Sequence, residues 1–422
     1  MISKKYTKRD LESYAFDEEL IGQHMVFLAG PRQVGKTSLS KKWLQEKKCE
    51  PLYYNWDDIQ TRQTYRADSR FFESPARLTG MAKPWIVFDE IHKRPNWRDI
   101  LKGVYDIFGD DFRFLIAGSA RLDLLRRSGD AQIGRYNLFH MMPFNMAELL
   151  GRRFEPCFLS YENSLKAIKQ FAQTVDQTIG KAHADVFNIL KQYGPFPEPV
   201  IRQNQRFSRK WHQDYISLLV RDELRDISRV VELDKIEDLV MLLPHRVMAP
   251  LSMANLANEL EVAHTTIKNW LEQLKRLYLI FAVTPWSKKI PRGLRKEKKW
   301  YFLDWYYSPE GPARLENIIA TNLMRTCKAL TDMGYGKYRL HYVRTLDKKE
   351  IDFLVVRENR PLLAVEVKQN ETVPTRPLRE RQKWFSDPNL LGVQVVDCRD
   401  ILKKYLDNTW VMSVERFLAL LN

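Results

Sequence analysis

The chain has 422 residues, of which 44% are hydrophobic and 29% are charged. This composition is typical of globular proteins and excludes wholesale disorder, while the length predicts about three domains. The 68 Lys and Arg residues outnumber the 53 Asp and Glu residues, which leaves a net charge of +15. Such an excess indicates either an anionic partner, most often nucleic acid, or simply a protein with a basic surface.

The cysteines and the apolar runs bear on the compartment. The four cysteines lie far apart and form no CxxC pair, which argues against a zinc ribbon, a thioredoxin motif or a disulfide framework. The amino terminus is polar, without the apolar segment of a signal peptide. The longest apolar run, LYLIFAV at 277–283, is far shorter than the ~20 residues of a membrane-spanning helix. We therefore expect a cytoplasmic protein that has no membrane partner.

Strand-like and helical segments alternate through residues 25–150. The strand-like runs are MVFLAG, PLYYNW, WIVFDE, RFLIAGS and YNLFHMM, and most of them alternate too little to be half-exposed. Such runs, separated by helices, are typical of a parallel sheet that is covered on both faces. Since GRRFEPC interrupts the pattern after Leu150, residues 1–150 are predicted to form one α/β domain.

The remainder of the chain divides into three predicted segments. Residues 151–245 look like a helical connector and lid, interrupted by the proline-rich GPFPEPV at 194–200. Residues 246–305 are predicted to form a winged helix-turn-helix. In residues 306–422 a helix precedes the strand-like YRLHYVRT, EIDFLVV and LLAVEVK, and a helix, the strand LGVQVVD and another helix follow. This pattern predicts a second α/β domain.

The string GPRQVGKT at 30–37 fits the phosphate-loop pattern GxxxxGK[ST] and stands between a strand and a helix. The glycines allow the backbone to wrap around a phosphate, and the N–H groups at the helix start can bind the anion. Lys36 is expected to contact the β- and γ-phosphates of ATP, and Thr37 to ligate Mg²⁺. The predicted nucleotide-binding residues are Gly30, Pro31, Arg32, Gln33, Val34, Gly35, Lys36, Thr37 and Ser38.

An acidic pair follows another strand of the same domain. WIVFDE ends in Asp89 and Glu90, and ligands of open α/β sheets bind at the carboxyl ends of strands. Asp89 is predicted to hold Mg²⁺, and Glu90 to orient and polarise the attacking water of an ATPase. The alternative is an acidic pair that merely closes a strand. Ser119, at the end of RFLIAGS, is expected either to sense the γ-phosphate or to be an ordinary polar residue.

An arginine near the nucleotide can stabilise the charge of the transition state, in cis or in trans. Arg135, in the string GDAQIGR, is predicted to have this role, and Arg126 and Arg127 are its rivals. Action in trans would require a homo-oligomer.

A helix-turn-helix pattern lies in LSMANLANELEVAHTTIKNWLEQLKRLYLI, with helices at 252–260 and from about His264. Between the two strands that follow lies a basic loop, residues 288–299, with seven basic residues against one acidic residue. Contacts to a phosphate backbone require such a pattern. The alternative is a winged helix that binds proteins. The predicted nucleic-acid contacts are Thr265, Thr266, Lys268, Lys288, Lys289, Arg292, Arg295 and Lys296.

Charged residues also stand near the carboxyl terminus. Asp352 lies in one strand-like run, and Glu366 and Lys368 share one face of the next because alternate strand residues point the same way. Glu316, on the preceding helix, can join them. Two carboxylates can hold Mg²⁺ or Mn²⁺, and a neighbouring lysine can position water for phosphodiester cleavage. The alternative is a pair of strands with ordinary charged ends.

Taken in order, these motifs resemble a prokaryotic family of AAA-type ATP-binding proteins that carry a C-terminal domain of unknown function. The resemblance extends from about Ile21 to Asp400. The string GDAQIGR departs from the family's more usual Asp-Ser-Leu-x-Gly-Arg. The motifs that carry the resemblance are GPRQVGKT, VFDEIHK, LKGVYD, RFLIAGSARLD, GRY, PFNMAEL, GPFPEP, RDELRDISRV, LANELEVAHTTIKNWLEQL, WYFLD, LEN and EIDF…VEVK.

The resemblance has implications for fold and function. The family's C-terminal part is similar to the PD-(D/E)xK nuclease fold, which implies that Glu316, Asp352, Glu366 and Lys368 form its four-residue site. We therefore expect an α/β protein with a parallel-sheet AAA-type ATPase domain, a helical and winged-helix middle, and a restriction-endonuclease-like C-terminal domain. Its expected function is Mg²⁺-dependent ATP hydrolysis coupled to nucleic acid, with DNA favoured. The alternative is an ATP-driven regulator of a protein partner, without nuclease activity.

Overall fold

The structure is a computed structural model. It describes residues 6–118, 134–152, 154–161, 164–176, 179–227, 232–286, 297–345, 347, 349–405 and 407–421. The chain forms two compact units, one from Ser3 to Pro143 and one that begins at Phe144. This division lies near the predicted end of the first domain at 150. The further boundaries predicted at 245 and 305 fall inside the second compact unit, and the four-domain division stays a prediction.

The N-terminal unit is built on a parallel five-stranded sheet with the order β2-β3-β4-β1-β5. Every residue of β1 and β3 is buried, as expected for central strands with helices on both faces. The predicted parallel sheet is confirmed. Its strands are β1 (Met25–Ala29), β2 (Tyr53–Asn55), β3 (Trp85–Asp89), β4 (Arg113–Ala117) and β5 (Tyr136–His140).

Helices cover this sheet through their apolar faces. The helix α6 buries Leu101, Val104 and Phe108, which recur at helical spacing along one side. The helices of the unit are α1 (Glu12–Ala15), α2 (Glu18–Ile21), α3 (Lys36–Glu46), α4 (Ile59–Ala67), α5 (Glu73–Leu78) and α6 (Trp97–Phe108).

The register of the strands brings two predicted motifs to one edge of the sheet. Leu28 of β1 and Asp89 of β3 are both paired with Ala117 of β4. Because all three strands are parallel, the residues that follow β1 and β3 emerge at the same carboxyl edge, where ligands of such sheets bind.

The C-terminal unit contains many helices, among them α16 of 21 residues, which buries Leu315, Ile319 and Leu323. Within the described residues, no helix is both long and apolar enough to cross a membrane. The helices are α7 (Met146–Leu149), α8 (Ser164–Thr174), α9 (Lys181–Tyr193), α10 (Pro197–Arg202), α11 (Gln205–Ser217), α12 (Leu224–Ile227), α13 (Leu233–Leu242), α14 (Met253–Glu259), α15 (His264–Arg276), α16 (Pro312–Asp332), α17 (Arg376–Phe385) and α18 (Val414–Leu420).

A mixed eight-stranded sheet forms the core of the same unit, with the order β12-β13-β11-β10-β9-β8-β6-β7. The antiparallel hairpin β6–β7 continues this sheet, because β6 pairs with β8. The predicted wing strands are therefore strands of the C-terminal sheet. The strands are β6 (Ile280–Pro285), β7 (Lys299–Phe302), β8 (Tyr338–Arg344), β9 (Glu350–Arg357), β10 (Arg360–Lys368), β11 (Leu391–Val396), β12 (Leu402–Tyr405) and β13 (Thr409–Ser413).

The hairpin β12–β13 differs from the sequence prediction, which expected a helix directly after LGVQVVD. The two strands pair antiparallel, and Asp407 and Asn408 in the turn have φ of 62° and 54°. Asp and Asn tolerate this left-handed backbone better than most residues. An Asp-Asn pair between two short strand-like runs is therefore the signal that could have predicted the hairpin.

Candidate functional site

The phosphate loop, residues 30–37, runs from the end of β1 into α3 at the carboxyl edge of the N-terminal sheet. Gly35 caps α3 with φ of 104°, and Gly30 has φ of 153°. A Cβ on Gly30 would lie 2.2 Å from the carbonyl oxygen of Met141. The loop is thus packed tightly against the backbone just after β5, and its exposed end presents Thr37 and Ser38 at the helix start.

Lys36 is held against the loop that it follows. Its side chain is buried, and Nζ donates hydrogen bonds to the carbonyl oxygens of Gly30 at 2.9 Å and Pro31 at 2.6 Å. The ammonium therefore lies over the backbone of the phosphate loop, where an anion bound by the loop N–H groups would meet it.

Asp89 accepts two hydrogen bonds on one oxygen. Thr37 Oγ1 donates to Asp89 Oδ2 at 2.7 Å, and Tyr53 OH donates to the same atom at 2.6 Å. Asp89 is only 2% exposed. The predicted pair of Mg²⁺-binding residues, Thr37 and Asp89, is thus in direct contact, and its hydroxyl and carboxylate oxygens are ligands that Mg²⁺ prefers.

Tyr53 is a site residue that the sequence did not indicate. Burial, and then the negative charge of Asp89, raise the pKa of its phenol well above the ordinary value, so Tyr53 remains a hydrogen-bond donor. In the sequence, Tyr53 is marked only by its place in the strand-like run PLYYNW. Its contact with Asp89 depends on β2 lying next to β3, and the sequence does not give the order of the strands in the sheet.

Glu90 follows Asp89 in the left-handed conformation, with φ of 58°. Its Oε2 lies 3.5 Å from both His92 Nε2 and Lys93 Nζ, and the carboxyl is largely buried. Burial raises its pKa, although the charges of Lys36 and Lys93 act in the opposite direction. A carboxylate with a raised pKa beside a phosphate loop is suited to orienting and polarising water.

Arg135, the arginine predicted to assist catalysis, lies away from the phosphate loop of its own unit. Arg135 Nε donates to Asp106 Oδ1 at 2.7 Å, and its carbonyl oxygen accepts a hydrogen bond from the N–H of Met25, where β1 begins. It is therefore separated from its own phosphate loop by the length of β1, at about 3.3 Å per residue. Of the two alternatives left open by the sequence, this placement favours a role of Arg135 in trans over a role in cis, and the catalytic role itself stays a prediction. Ser119, Arg126 and Arg127 lie outside the described residues.

The four residues of the predicted nuclease site are only partly brought together. On β10, Lys368 Nζ lies 3.1 Å from Glu366 Oε2. Asp352 Oδ2 on β9 accepts a hydrogen bond from the Val367 N–H at 2.9 Å. Burial and the neighbouring charge of Asp352 raise the pKa of Glu366 to about 9. These three residues therefore meet across neighbouring strands, as the alternation of strand residues predicted.

Glu316 has different partners. It is buried on α16 and accepts a hydrogen bond from Tyr301 OH at 2.7 Å. Lys299 Nζ lies 3.6 Å from Glu316 Oε1 and 2.5 Å from Glu350 Oε1. Burial and the charge of Asp352 raise the pKa of Glu316 to about 8, against the effect of Lys299. We call Lys299, Glu316, Glu350, Asp352, Glu366 and Lys368 the acid–lysine cluster.

Lys299 changes two sequence interpretations. It was counted in the basic loop, but it is 1% exposed and paired with carboxylates, so it is not available to nucleic acid. Burial acts to lower its pKa, but the charges of Glu316, Asp352 and Glu350 outweigh that effect and raise it. Among the residues that the structure describes, no three Asp, Glu, His or Cys side chains form a group that could hold a metal ion. The predicted metal site of Asp352 and Glu366, with Glu316 and Lys368, therefore gains no support from this arrangement.

The helix-turn-helix segment has one buried and one exposed face. α14 and α15 are joined by residues 260–263, and α15 buries Ile267, Trp270, Leu271 and Leu274. Of the predicted contacts on α15, Thr265 and Lys268 are exposed and Thr266 is half-buried. The predicted contacts in the basic loop, Lys288, Lys289, Arg292, Arg295 and Lys296, lie outside the described residues.

Three family models match successive parts of the chain. Residues 22–150 match an AAA domain. Residues 187–305 and 313–417 match two domains of unknown function, DUF8612 and DUF4143. The first match covers the parallel sheet and the phosphate loop, and the third covers most of the C-terminal sheet and the residues from Glu316 to Lys368.

Relatives align with most of the chain at low identity. The uncharacterized protein MJ1544 of Methanocaldococcus jannaschii is 25% identical over 322 residues, which are 74% of this chain and 67% of that protein. The uncharacterized protein Rv2008c of Mycobacterium tuberculosis is 24% identical over 280 residues, or 66% of this chain. That match spans 54% of the mycobacterial protein.

A solved structure is also similar in part. The replication initiator DnaA bound to AMPPCP and single-stranded DNA aligns with 65% of this chain and 90% of its own, at 13% identity and a TM-score of 0.30. The family models are more informative: the N-terminal unit carries an AAA-type ATPase domain, and two domains of unknown function follow it.

Proposed function

We propose that the N-terminal unit binds ATP with Mg²⁺ and hydrolyses it, and that the chain uses this cycle while bound to nucleic acid, with DNA favoured. The observation that carries the ATPase proposal is the Thr37–Asp89 contact of 2.7 Å, with Lys36 and Glu90 at the same edge of the sheet. Residues that are 52 positions apart in the sequence thus meet where the phosphate loop ends.

The residues present fit this ligand. The N–H groups of the phosphate loop and the Lys36 ammonium would hold the phosphates, and Thr37 and Asp89 would hold Mg²⁺, which supplies charge neutralisation to phosphoryl transfer. Glu90 would orient and polarise the attacking water. Tyr53 would keep the Asp89 carboxylate in place through its hydrogen bond at 2.6 Å.

ATP binding and turnover by wild type and Lys36→Ala test the proposal. We expect Lys36→Ala to abolish hydrolysis and weaken nucleotide binding, because the phosphates lose their main cation. Lys42→Ala is the matched control, since Lys42 lies on the same helix with its side chain 38% exposed and paired only weakly with Glu46. No turnover by the wild type, with or without DNA, would refute the ATPase proposal.

The proposal for nucleic acid rests on charge and on α15. The net charge is +15, and the start of α15 exposes His264, Thr265, Lys268 and Asn269. Basic and polar side chains on the first turns of a second helix are typical of contacts to DNA, and the basic loop would add contacts to phosphates. The expected binding depends little on base sequence and strongly on salt.

Charge reversal separates this proposal from the alternative of a protein-binding regulator. We expect Lys288→Glu with Lys289→Glu to weaken DNA binding and to reduce the slope of log K against log salt. Lys403→Glu with Lys404→Glu makes the same charge change on exposed β12 and should have less effect. If both pairs leave DNA binding unchanged, α15 and the basic loop are better interpreted as a surface for a protein partner. Metal-dependent cleavage is not part of the proposal, because Glu366 is paired with Lys368, and Lys299 is paired with Glu316 and Glu350.

A further inference from the structure

The acid–lysine cluster contains a cation that the nuclease motif does not predict. Lys299 belongs to β7, which is one of the two outermost strands in the order of the eight-stranded sheet. Its ammonium lies 2.5 Å from Glu350 Oε1 and 3.6 Å from Glu316 Oε1, and its side chain is 1% exposed. Since a buried ammonium is stable only when it is paired, these carboxylates are the reason that Lys299 can be buried.

Every carboxylate of the cluster already has a partner within the protein. Glu316 accepts a hydrogen bond from Tyr301, and Asp352 accepts one from the Val367 N–H. Glu366 is paired with Lys368. Glu350 is paired with Lys299, and Arg344 Nε lies 3.8 Å from its second oxygen. A divalent cation would have to displace these donors in order to be ligated by the same oxygens.

The chemistry of this donor set does not fit the metal site of the nuclease fold that the C-terminal motifs resemble. Such a site needs carboxylates that converge with their oxygens available to the metal. Here the Lys299 ammonium lies next to Glu350 and Glu316 instead, and the negative charge of Asp352 also acts on it. We propose that Lys299 takes the place of the divalent cation, so that the acid–lysine cluster is a metal-independent ion-pair network that joins β7 and α16 to β9 and β10.

The proposal predicts that removal of Lys299 creates a metal site. Among the described residues, Lys368 and Arg344 are then the cations paired with the four carboxyl groups of the cluster. At a pH above the raised pKa values of Glu316 and Glu366, where all four carboxyls are ionised, this leaves an excess of two negative charges. The space of the lysine side chain also becomes available. Lys299→Ala should therefore gain affinity for Mn²⁺. Lys299→Met should not, because the Met side chain, although uncharged, still fills the space that the metal would need. Lys299→Arg keeps the charge and should resemble the wild type.

In the experiment, the full nucleotide-free chain is titrated with Mn²⁺. Calorimetry and electron paramagnetic resonance detect the binding, and thermal unfolding is measured in parallel. In the wild type we expect no Mn²⁺ binding that is lost in Asp352→Ala or Glu366→Ala. In Lys299→Ala we expect a Mn²⁺ site that is lost when Asp352→Ala is added, and a Tm that Mn²⁺ raises. None of these readouts depends on ATP hydrolysis, so failure of the proposed ATPase function would not affect them.

Two results would overturn the inference. One is Asp352-dependent Mn²⁺ binding by the wild type, which would show that Lys299 does not exclude the metal. The other is a folded Lys299→Ala that gains no Mn²⁺ site, which would show that the lysine does not stand in for a cation. If Lys299→Ala does not fold, the comparison of the wild type with Asp352→Ala and Glu366→Ala still decides whether the cluster binds metal.

Discussion

Replacement of Gly30 by alanine tests whether the phosphate loop depends on its contact with the chain beyond β5. A Cβ at this position would lie 2.2 Å from the Met141 carbonyl oxygen and 3.2 Å from the Met141 carbonyl carbon. Both atoms belong to the backbone, so no side chain can rotate away. The φ of 153° is also unfavourable for a residue with a side chain.

The magnitude follows from these two terms. A strained backbone conformation costs about 1–3 kcal/mol, and forcing an extra methyl group into a packed site costs about 1–3 kcal/mol more. We therefore expect Gly30→Ala to lower the free energy of unfolding of the N-terminal unit by several kcal/mol, a large share of the ~5–15 kcal/mol that is typical of proteins. Because the loop must move to relieve the contact, ATP affinity should fall as well.

Two glycines of the same unit serve as controls. Gly80 has φ of 68° with no atom within 4 Å of the added Cβ, so Gly80→Ala should show backbone strain alone. Gly103 lies inside α6 and is equally open, so Gly103→Ala should raise stability by about 0.5–1 kcal/mol.

Denaturant unfolding and fluorescent-nucleotide binding, measured on all three variants, provide the assay. The expected order of stability is Gly103→Ala, then wild type, then Gly80→Ala, then Gly30→Ala. A free energy of unfolding of Gly30→Ala within about 0.5 kcal/mol of that of Gly80→Ala, together with normal nucleotide binding, would show that the contact with Met141 does not constrain the loop, because 0.5 kcal/mol is the ordinary range for a neutral surface change.

Three further predictions follow from the sites. Glu90→Gln should bind ATP but hydrolyse it at least ~10²-fold more slowly, and an unchanged rate would show that Glu90 does not polarise the attacking water. Wild-type turnover should increase as the pH rises through the raised pKa of Glu90, since the ionised carboxylate is needed. If Arg135 acts in trans, mixing Arg135→Ala with Lys36→Ala should restore some ATPase activity. A specific activity that does not depend on protein concentration, with no activity restored by mixing, would contradict a role in trans. The pKa of Glu316 is raised from 4.5 to about 8 in the folded chain, so the stability that its protonated form contributes is present below pH 4.5 and is lost as the pH rises towards 8. The Tm of Glu316→Gln should therefore decline less than the wild-type Tm between pH 4.5 and 8. Equal declines in the two proteins would contradict the raised pKa of Glu316.

The amino-acid sequence by itself determined the parts of the protein that depend on neighbouring residues. The phosphate loop was predictable because its glycines, Lys36 and Thr37 are consecutive, so the local chain geometry places them together. The five strands of the N-terminal sheet were predictable because buried parallel strands are short apolar runs. Asp89 and Glu90 followed from the rule that ligands bind at the carboxyl ends of such strands.

The tertiary structure decided what depends on distant partners. The position of β2 beside β3 gives Tyr53 its contact with Asp89, and the length of β1 separates Arg135 from its own phosphate loop. Lys299 shows the limit most clearly: in the sequence it is one more cation in a basic loop, and in the fold it is buried against Glu350 and Glu316. A lysine is stable in such a place only when carboxylates surround it, and those carboxylates come from α16 and β9, which only the folded sheet brings to β7.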